Sequence, residues 1–580
     1  MNFVPFDEEE MAEKRKSSSS EVPEKKTRNH ESKKGDWISG TGLYHILLQD
    51  HLQEWLKIHS PSLLSSKSLF LETLLQAGKE FEKGIVSLLK GMLEESSFSY
   101  REFPGYYDRL QLSNVMQAMR EKVDVIFSPS IYSEKEKFYG VPDLLVRTNI
   151  INTLIPDAFT LEELEQYQNG YLIIDVKFMT LPLAADGQHL LNSGHIRAYK
   201  GQLYIYHTIL KEISKKLKQT VVPFACLLGR AAKQTSKGET YYFTSFQKLG
   251  RVHFSLRDKE VCQEVQAGAE WLRSCRREGE HWLDDLAQHP ELYPNMKSNE
   301  SNPFKEGLAE GLGEITSLWY CGMKERKKAF QKEIYSWHDP GFSSETVGFQ
   351  GQRARILDAI LEVNRPNGPF MLPHRIEKMQ KAISCVNSKE FYVDFETIPE
   401  FLGEERIFMI SVGWLNEASE WCCETFPLEE LSDAAELKMA TDFVTLIGQD
   451  SELYHWADAE YHIWESFLVR MGKLTDPLFS LGDRWTDLLY VFKEEPITVK
   501  GAFNFSLKSI VKAMKNVIHL DYKAGEVQDG LTAAVKAVQH YSVYKTYFPT
   551  PEMEEIIKYN QLDCQALMKI LEYLRSRNGL

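Results

Sequence analysis

The sequence predicts an α/β protein built from several domains, and three observations lead there. At 580 residues the chain exceeds what a single core holds, and about three to four domains is the usual expectation. An apolar share of 43% with 12% aromatics supports packed globular domains over a disordered chain. In each half, short apolar runs of strand length alternate with amphipathic stretches of helical period.

Residues 1–36 are rich in Lys, Glu and Ser without apolar periodicity, and disorder is expected there. The clusters Lys14-Arg15-Lys16 and Lys25-Lys26 suit a nuclear import signal, or a solvated tail given the interspersed acids. The cysteines at 226, 262, 275, 321, 385, 422, 423 and 564 are scattered, with no CxxC pair. Reduced thiols are therefore expected in an intracellular protein, nuclear or cytoplasmic. No run of about 18 apolar residues occurs, so neither a membrane span nor a secretory signal is expected. A net charge of −15 argues against coating nucleic acid with the whole surface, but leaves room for a local basic groove.

From Trp37 to about Tyr100 the period is helical, and Glu82 lies beside an apolar stripe of Leu75, Phe81, Ile85 and Leu89. Strand-like runs follow: KVDVIFSP, FYGVPDLLVRT and YLIIDVKFMT. Asp143 follows Pro142 near a strand start. Asp175 and Lys177 sit two apart, hence on one face, where a carboxylate can ligate a metal and an ammonium can polarise a water. The next stretch, AYKGQLYIYHTIL, is helical and sets Gln202 and Tyr206 four apart on one side. They support a site there, or Tyr206 is core and Gln202 surface.

Residues 293–305 are polar and Pro/Asn/Ser-rich, a linker pattern. Two short helices around Cys321-Gly322 come next, basic over Lys324–Lys328. Such a hairpin meets phosphates, or it is a helical spacer with a solvated face.

The stretch Phe391–Thr397, FYVDFET, reads as a buried strand ending on Asp394 and Glu396, two carboxylates of one face. Acids so placed are expensive to desolvate without a cation, unless they reach solvent at the strand end. IFMISVGWL continues as a second strand. Leu453–Trp456 is a third, before a helix whose start holds Asp458 and Glu460. Asp487 opens another helix, where N-capping alone also explains an acid. Near the C-terminus Tyr559 and Asp563 lie four apart on a long amphipathic helix.

In their order, Glu82, Gly140-Val-Pro142-Asp143, Asp175-Val-Lys177 and Gln202-x-x-x-Tyr206 resemble the RecB-like branch of the PD-(D/E)XK nucleases, over about residues 70–290. The resemblance implies a mixed sheet flanked by helices, with Asp143 and Asp175 as ligands of one or two Mg2+ or Mn2+ beside Glu82. Lys177 is then the catalytic lysine, supported by Gln202 and Tyr206. The basic hairpin is similar to a helix–hairpin–helix-like insert of such proteins.

Residues 385–578 resemble the tyrosine-containing DEDD exonucleases, and more closely the RNase H-like domain attached to RecB-like nuclease domains in a family of predicted nucleases. Asp394 and Glu396 match the first motif, and Tyr559 with Asp563 the last. The stretch 499–514, VKGAFNFSLKSIVKAM, is close to that family's segments. For the middle acid the family pattern ends on aspartate, and here Glu460 stands in register, with Asp487 ranked second and Asp458 third. This resemblance implies two Mg2+ or Mn2+ ions about 3.5–4 Å apart and removal of nucleotides from a 3′ end of DNA or RNA, with Tyr559 orienting water.

The expected layout is therefore a tail over 1–36, a PD-(D/E)XK-type α/β domain over 37–292, a linker with helical hairpin over 293–384, and an RNase H-like α/β domain over 385–580. The alternative is a nucleic-acid-binding or scaffolding protein with one or both sites inactive.

Overall fold

A computed structural model describes residues 35–65, 68–298, 302–384, 389–522 and 529–580. The two basic clusters of the N-terminal tail lie outside the described residues. So does Cys385; the other seven cysteines are free thiols. Among the described residues no helix is long and apolar enough to cross a membrane.

The N-terminal half is built on a seven-stranded mixed sheet. Helix α1 (Leu69–Glu95) precedes β1 (Tyr100–Glu102), β2 (Val125–Phe127), β3 (Leu144–Arg147) and β4 (Tyr171–Leu183). Helix α2 (Ile196–Leu217), β5 (Phe224–Ser236), β6 (Glu239–Thr244) and β7 (Gly250–His253) follow. The order is β7-β5-β4-β3-β2-β1, with β6 added to β5. Strands β4 and β5 run parallel, whereas β3 is antiparallel to β4.

Period-2 alternation sorts the two faces of β4. Tyr171 and Ile173 pack with Leu203, Ile205 and Ile209 of α2, while Leu172, Ile174 and Val176 pack with Ile85 and Leu89 of α1. Asp175 and Lys177 share the parity of Ile173, so they leave the sheet on the α2 side. A register shift between Lys177 and Thr180 ends that regularity just past Lys177.

Tyr206 of α2 is 4% exposed, its ring pressed against Gly40 and Gly140 so closely that a Cβ at either position would overlap it. Gly140→Ala is expected to cost roughly 1–3 kcal/mol by overpacking. Urea denaturation checks this, and an unchanged midpoint would show that the ring moves freely.

Of the segment read as a linker, the described residues 293–298 and 302–305 pack into the fold. Asn295, Asn302 and Lys305 are buried, with Lys305 Nζ 2.7 Å from Asp50 Oδ2. Beyond it, α3 (Met323–Phe330) and α4 (Gly351–Asn364) join the C-terminal half in one apolar core. Leu318, Trp337, Phe342, Ile356 and Ile360 pack in the cluster that holds Leu488, Phe492, Ile510 and Leu567. The basic run is partly committed inside this fold: Arg326 is 3% exposed and pairs with Glu314, and Lys328 donates to the Val347 carbonyl. Lys324 and Lys327 remain exposed.

The C-terminal half contains β8 (Lys389–Ile398), β9 (Arg406–Leu415), β10 (Trp421–Pro427), β11 (Ser451–His455), α5 (Ala459–Arg470) and β12 (Trp485–Asp487). Helices α6 (Leu507–Ile518), α7 (Gly530–Tyr544) and α8 (Pro551–Asn578) complete it. The five strands are ordered β10-β9-β8-β11-β12. Strands β10, β9 and β8 are antiparallel neighbours, and β8, β11 and β12 are parallel. This is the mixed α/β architecture expected of the region. Phe391, Val393 and Phe395 enter a core with Phe443, Trp464 and Phe467, which turns Asp394 and Glu396 to the opposite face, toward α6 and α8. Helix α8 starts cleanly because the Thr550 side chain accepts the Met553 N–H and Pro551 occupies the first turn; Gly579, at φ 72°, closes it.

The halves touch through Phe70 and Phe401, whose ring centroids lie 5.9 Å apart. Beside them the Arg230 guanidinium lies 3.1 Å from Glu400.

Candidate functional site

Two acidic clusters form, one in each half. In the C-terminal half, β8 presents Asp394 and Glu396, α5 presents Glu460 in its first turn, and α8 presents Asp563. Asp394 is half-buried, Asp563, Glu396 and Glu460 are buried, and the four act on one another electrostatically. Burial first, then Asp563, Glu460 and Glu396, raise the Asp394 carboxyl well above the ordinary range. Burial and then Asp563 push Glu396 up to about 8. Asp563 rises to about 6, again chiefly by burial. Glu460 is raised by burial and partly relieved by His455, whose Nδ1 lies 3.3 Å from it.

Several neighbours were not singled out from the sequence. Asn560 Nδ2 donates to Asp394. The Tyr522 hydroxyl donates to Asp563, and the Tyr559 hydroxyl lies on the same carboxylate. The Lys508 ammonium stands 4.6 Å from the Tyr559 ring centroid and 5.8 Å from that of Tyr522, and it offsets the charge of Glu396 and Asp563. Gly530, the first residue of α7, lies so near Glu396 that a Cβ there would stand 3.2 Å from Oε2. Asn560 had a legible signal, since it lies three residues before Asp563 and so shares its helix face. Lys508 lies inside the 499–514 stretch already noted. Tyr522 had none.

The three candidates for the middle acid separate. Glu460 is enclosed with Asp394, Glu396 and Asp563. The Asp458 side chain is 80% exposed and lies 3.6 Å from His462. Asp487 caps α5's neighbouring helix: its Oδ1 accepts the N–H groups of Leu489 and Ala457, while its charge reaches Glu460.

In the N-terminal half, Glu82, Asp143, Asp175, Lys177, Gln202 and Tyr206 come together. Asp143 Oδ2 accepts the Val176 N–H at 2.6 Å, and burial first, then Asp175, raise its pKa well above the usual value. Glu82 is raised by burial and Asp175. Lys177 Nζ lies 2.5 Å from Asp175 Oδ2. Burial opposes the Lys177 charge, but Asp175 and Asp143 outweigh it and hold the ammonium more firmly protonated. Gln202 Nε2 donates to the Tyr206 hydroxyl at 2.9 Å. Both are buried, so Tyr206 is core and cluster neighbour at once, and Gln202 is not a surface residue.

Among the described residues no group of three or more His, Cys, Asp or Glu side chains is gathered as closely as an occupied metal site. The carboxylates converge and stop short, and protein donors hold Asp394, Glu460, Asp563 and Asp143, as crowded buried acids require. The donor set nonetheless fits a hard cation: it is all oxygen, which suits Mg2+ or Mn2+ over zinc. One acceptor also lacks any hydrogen-bond partner among the described residues, Asn560 Oδ1 in the C-terminal cluster; in the other cluster Asp175 Oδ2 is taken up by the Lys177 ammonium.

A stability signature follows. Glu396 and Asp563, at about 8 and about 6, hold protons in the folded state that an unfolded chain releases near pH ~4. With chelator present, this contribution is fully present below about pH 4 and is lost as pH rises toward 8. Saturating Mg2+ or Mn2+ should remove the fall, adding about 2.7 kcal/mol at ~100 times Kd. Thermal melts at pH 5, 6.5 and 8 with and without metal check this; a flat profile in chelator would contradict it.

No curated protein matches the chain. Residues 391–575, which begin on the strand of Asp394 and end on the helix of Asp563, match the family model of the RNase H superfamily, and the C-terminal half is thereby an RNase H-like domain.

Proposed function

We propose that this chain is a metal-dependent nuclease that hydrolyses phosphodiester bonds of DNA or RNA, its C-terminal site acting from the 3′ end. One observation carries the reading: the region similar to the RNase H superfamily encloses Asp394, Glu396, Glu460 and Asp563 in one electrostatically coupled cluster. Those carboxylates would hold Mg2+ or Mn2+, which supplies a lowered water pKa and charge stabilisation at the leaving oxygen. The protein's own groups do the rest. Asn560 and His455 fix the orientation of Asp394 and Glu460. The Tyr559 hydroxyl, beside Asp563, orients the attacking water, and Lys508 offers a cation to the substrate phosphate.

The N-terminal cluster supports the same reaction class with a different layout: Asp143, Asp175 and Glu82 as oxygen ligands, and Lys177 to stabilise the developing phosphorane charge. End-labelled single strands and duplexes of DNA and RNA, incubated with Mg2+ or Mn2+, test the proposal. Separable losses in Asp394→Ala and Lys177→Ala are expected, and no cleavage of any substrate would refute it.

A second reading has its own support. Asp394, Glu460 and Asp563 tied to protein donors, with no gathered metal group among the described residues, suit a domain that grips nucleic acid without cutting it. Binding would then weaken steeply with salt and ignore chelators.

A further inference from the structure

The two acidic clusters are joined by a short bridge of specific contacts. Lys177 pairs across β4 and β5 with Gly229. Arg230 is the next residue, its guanidinium 5.8 Å from the Phe178 ring centroid and 3.1 Å from Glu400. Glu400 lies four residues beyond Glu396. A second connection runs beside the first. Helix α1 carries Glu82 and, at its start, the Phe70 that meets Phe401 edge-on. It also packs against α7, whose first residue abuts Glu396.

These contacts bound the separation. An extended chain covers at most ~3.6 Å per residue, and paired strands lie about 4.8 Å apart. Even with the Arg230 and Glu400 side chains end to end, the clusters lie within roughly 40 Å. A stacked strand rises ~3.4 Å per nucleotide, so about a dozen nucleotides at most cover that span. Each end carries a lysine beside an aromatic ring, and each lysine already stands against carboxylates: Lys177 over the Tyr199 ring at 5.0 Å and paired with Asp175, and Lys508 over the Tyr559 ring at 4.6 Å beside Glu396 and Asp563.

We propose that one single-stranded nucleic acid occupies both clusters at once, at a spacing set by the Arg230–Glu400 contact. This rests on reading both clusters as nucleic-acid sites. Arg230 is a positioning residue in this account. A strand long enough to reach the second cluster binds it intramolecularly, so affinity rises in a step and not in proportion to length.

The test is affinity against length for fluorescent (dT)n and (rU)n from 4 to 24 nucleotides, in Ca2+ so that binding is read without Mg2+ or Mn2+. A drop in Kd of at least about tenfold is expected over a few nucleotides at or below about a dozen. The two series tell whether DNA, RNA or both are taken. Glu400→Arg, at an exposed position, should abolish or shift the step, and Arg230→Glu combined with Glu400→Arg should restore it. A smooth rise with length, or a step indifferent to Glu400→Arg and to Lys177→Ala, overturns the proposal. Cleavage in Mg2+ without a step defeats this inference alone; a step without cleavage on any substrate defeats the nuclease reading alone.

Discussion

Asp394→Asn and Glu396→Gln, made singly, are expected to lower the proposed 3′-end cleavage by about 10²–10⁴-fold and to leave the protein folded. Both side chains face the acidic cluster, so each amide removes an oxygen ligand that a bound cation would require. The same change removes a carboxyl whose burial first, and then like-charge crowding, lifts Asp394 and holds Glu396 near 8. Thermal stability in chelator should therefore rise in both variants while the gain from added Mg2+ or Mn2+ shrinks. A 3′-labelled single strand and a melting curve in chelator read the two effects. Cleavage at the parental rate in either variant would remove these acids from the mechanism. Opposite signs for activity and stability distinguish this result from damage to the fold.

Glu436→Ala is expected to be the most destabilising single change outside the acidic clusters. Glu436, in the helix Asp433–Ile447, is 0% exposed. It accepts from Arg470 at 2.7 and 2.8 Å and from the Ile407 N–H at 2.9 Å, and Arg406 joins it. Arg406 begins β9 and pairs with Ile398 at the end of the strand that carries Glu396. Removing the carboxylate leaves two guanidinium groups and a backbone N–H without their shared acceptor, a loss on the order of 3–5 kcal/mol. Glu436→Gln keeps an acceptor and should lose less. Urea unfolding followed by Trp fluorescence measures both, and a loss under about 1 kcal/mol for the alanine variant would mean that solvent replaces the carboxylate.

Local patterns were legible in the sequence, and tertiary neighbours were not. Strand alternation places Asp394 and Glu396 on one face because Phe391, Val393 and Phe395 must take the other. Helical spacing likewise joins Tyr559 to Asp563 and Gln202 to Tyr206. Glu460 ranked above Asp458 on the family's register alone, since two residues at a helix start lie on opposite sides and only the sheet beneath says which side is inner. Tyr522 reaches Asp563, 41 positions further along the chain, a contact no local period reports. The apparent linker misled for a related reason: Asn295, Asn302 and Lys305 look solvated in sequence, yet each is buried. Lys305 is neutralised by Asp50, 255 positions away.

The core shared by residues 315–383 and the RNase H-like domain has a practical consequence. Beside the apolar packing, Trp319 donates its backbone N–H to the Phe503 carbonyl, Met371–Leu372 pairs with Thr498–Val499, and Arg577 donates to the carbonyls of Met371 and Pro373. A fragment cut at the start of the family match would bare Leu488, Phe492 and Ile510 and should aggregate. The smallest piece expected to fold as an independent cassette thus begins near Glu314, which pairs with Arg326, upstream of the first residue of the shared core, Ile315.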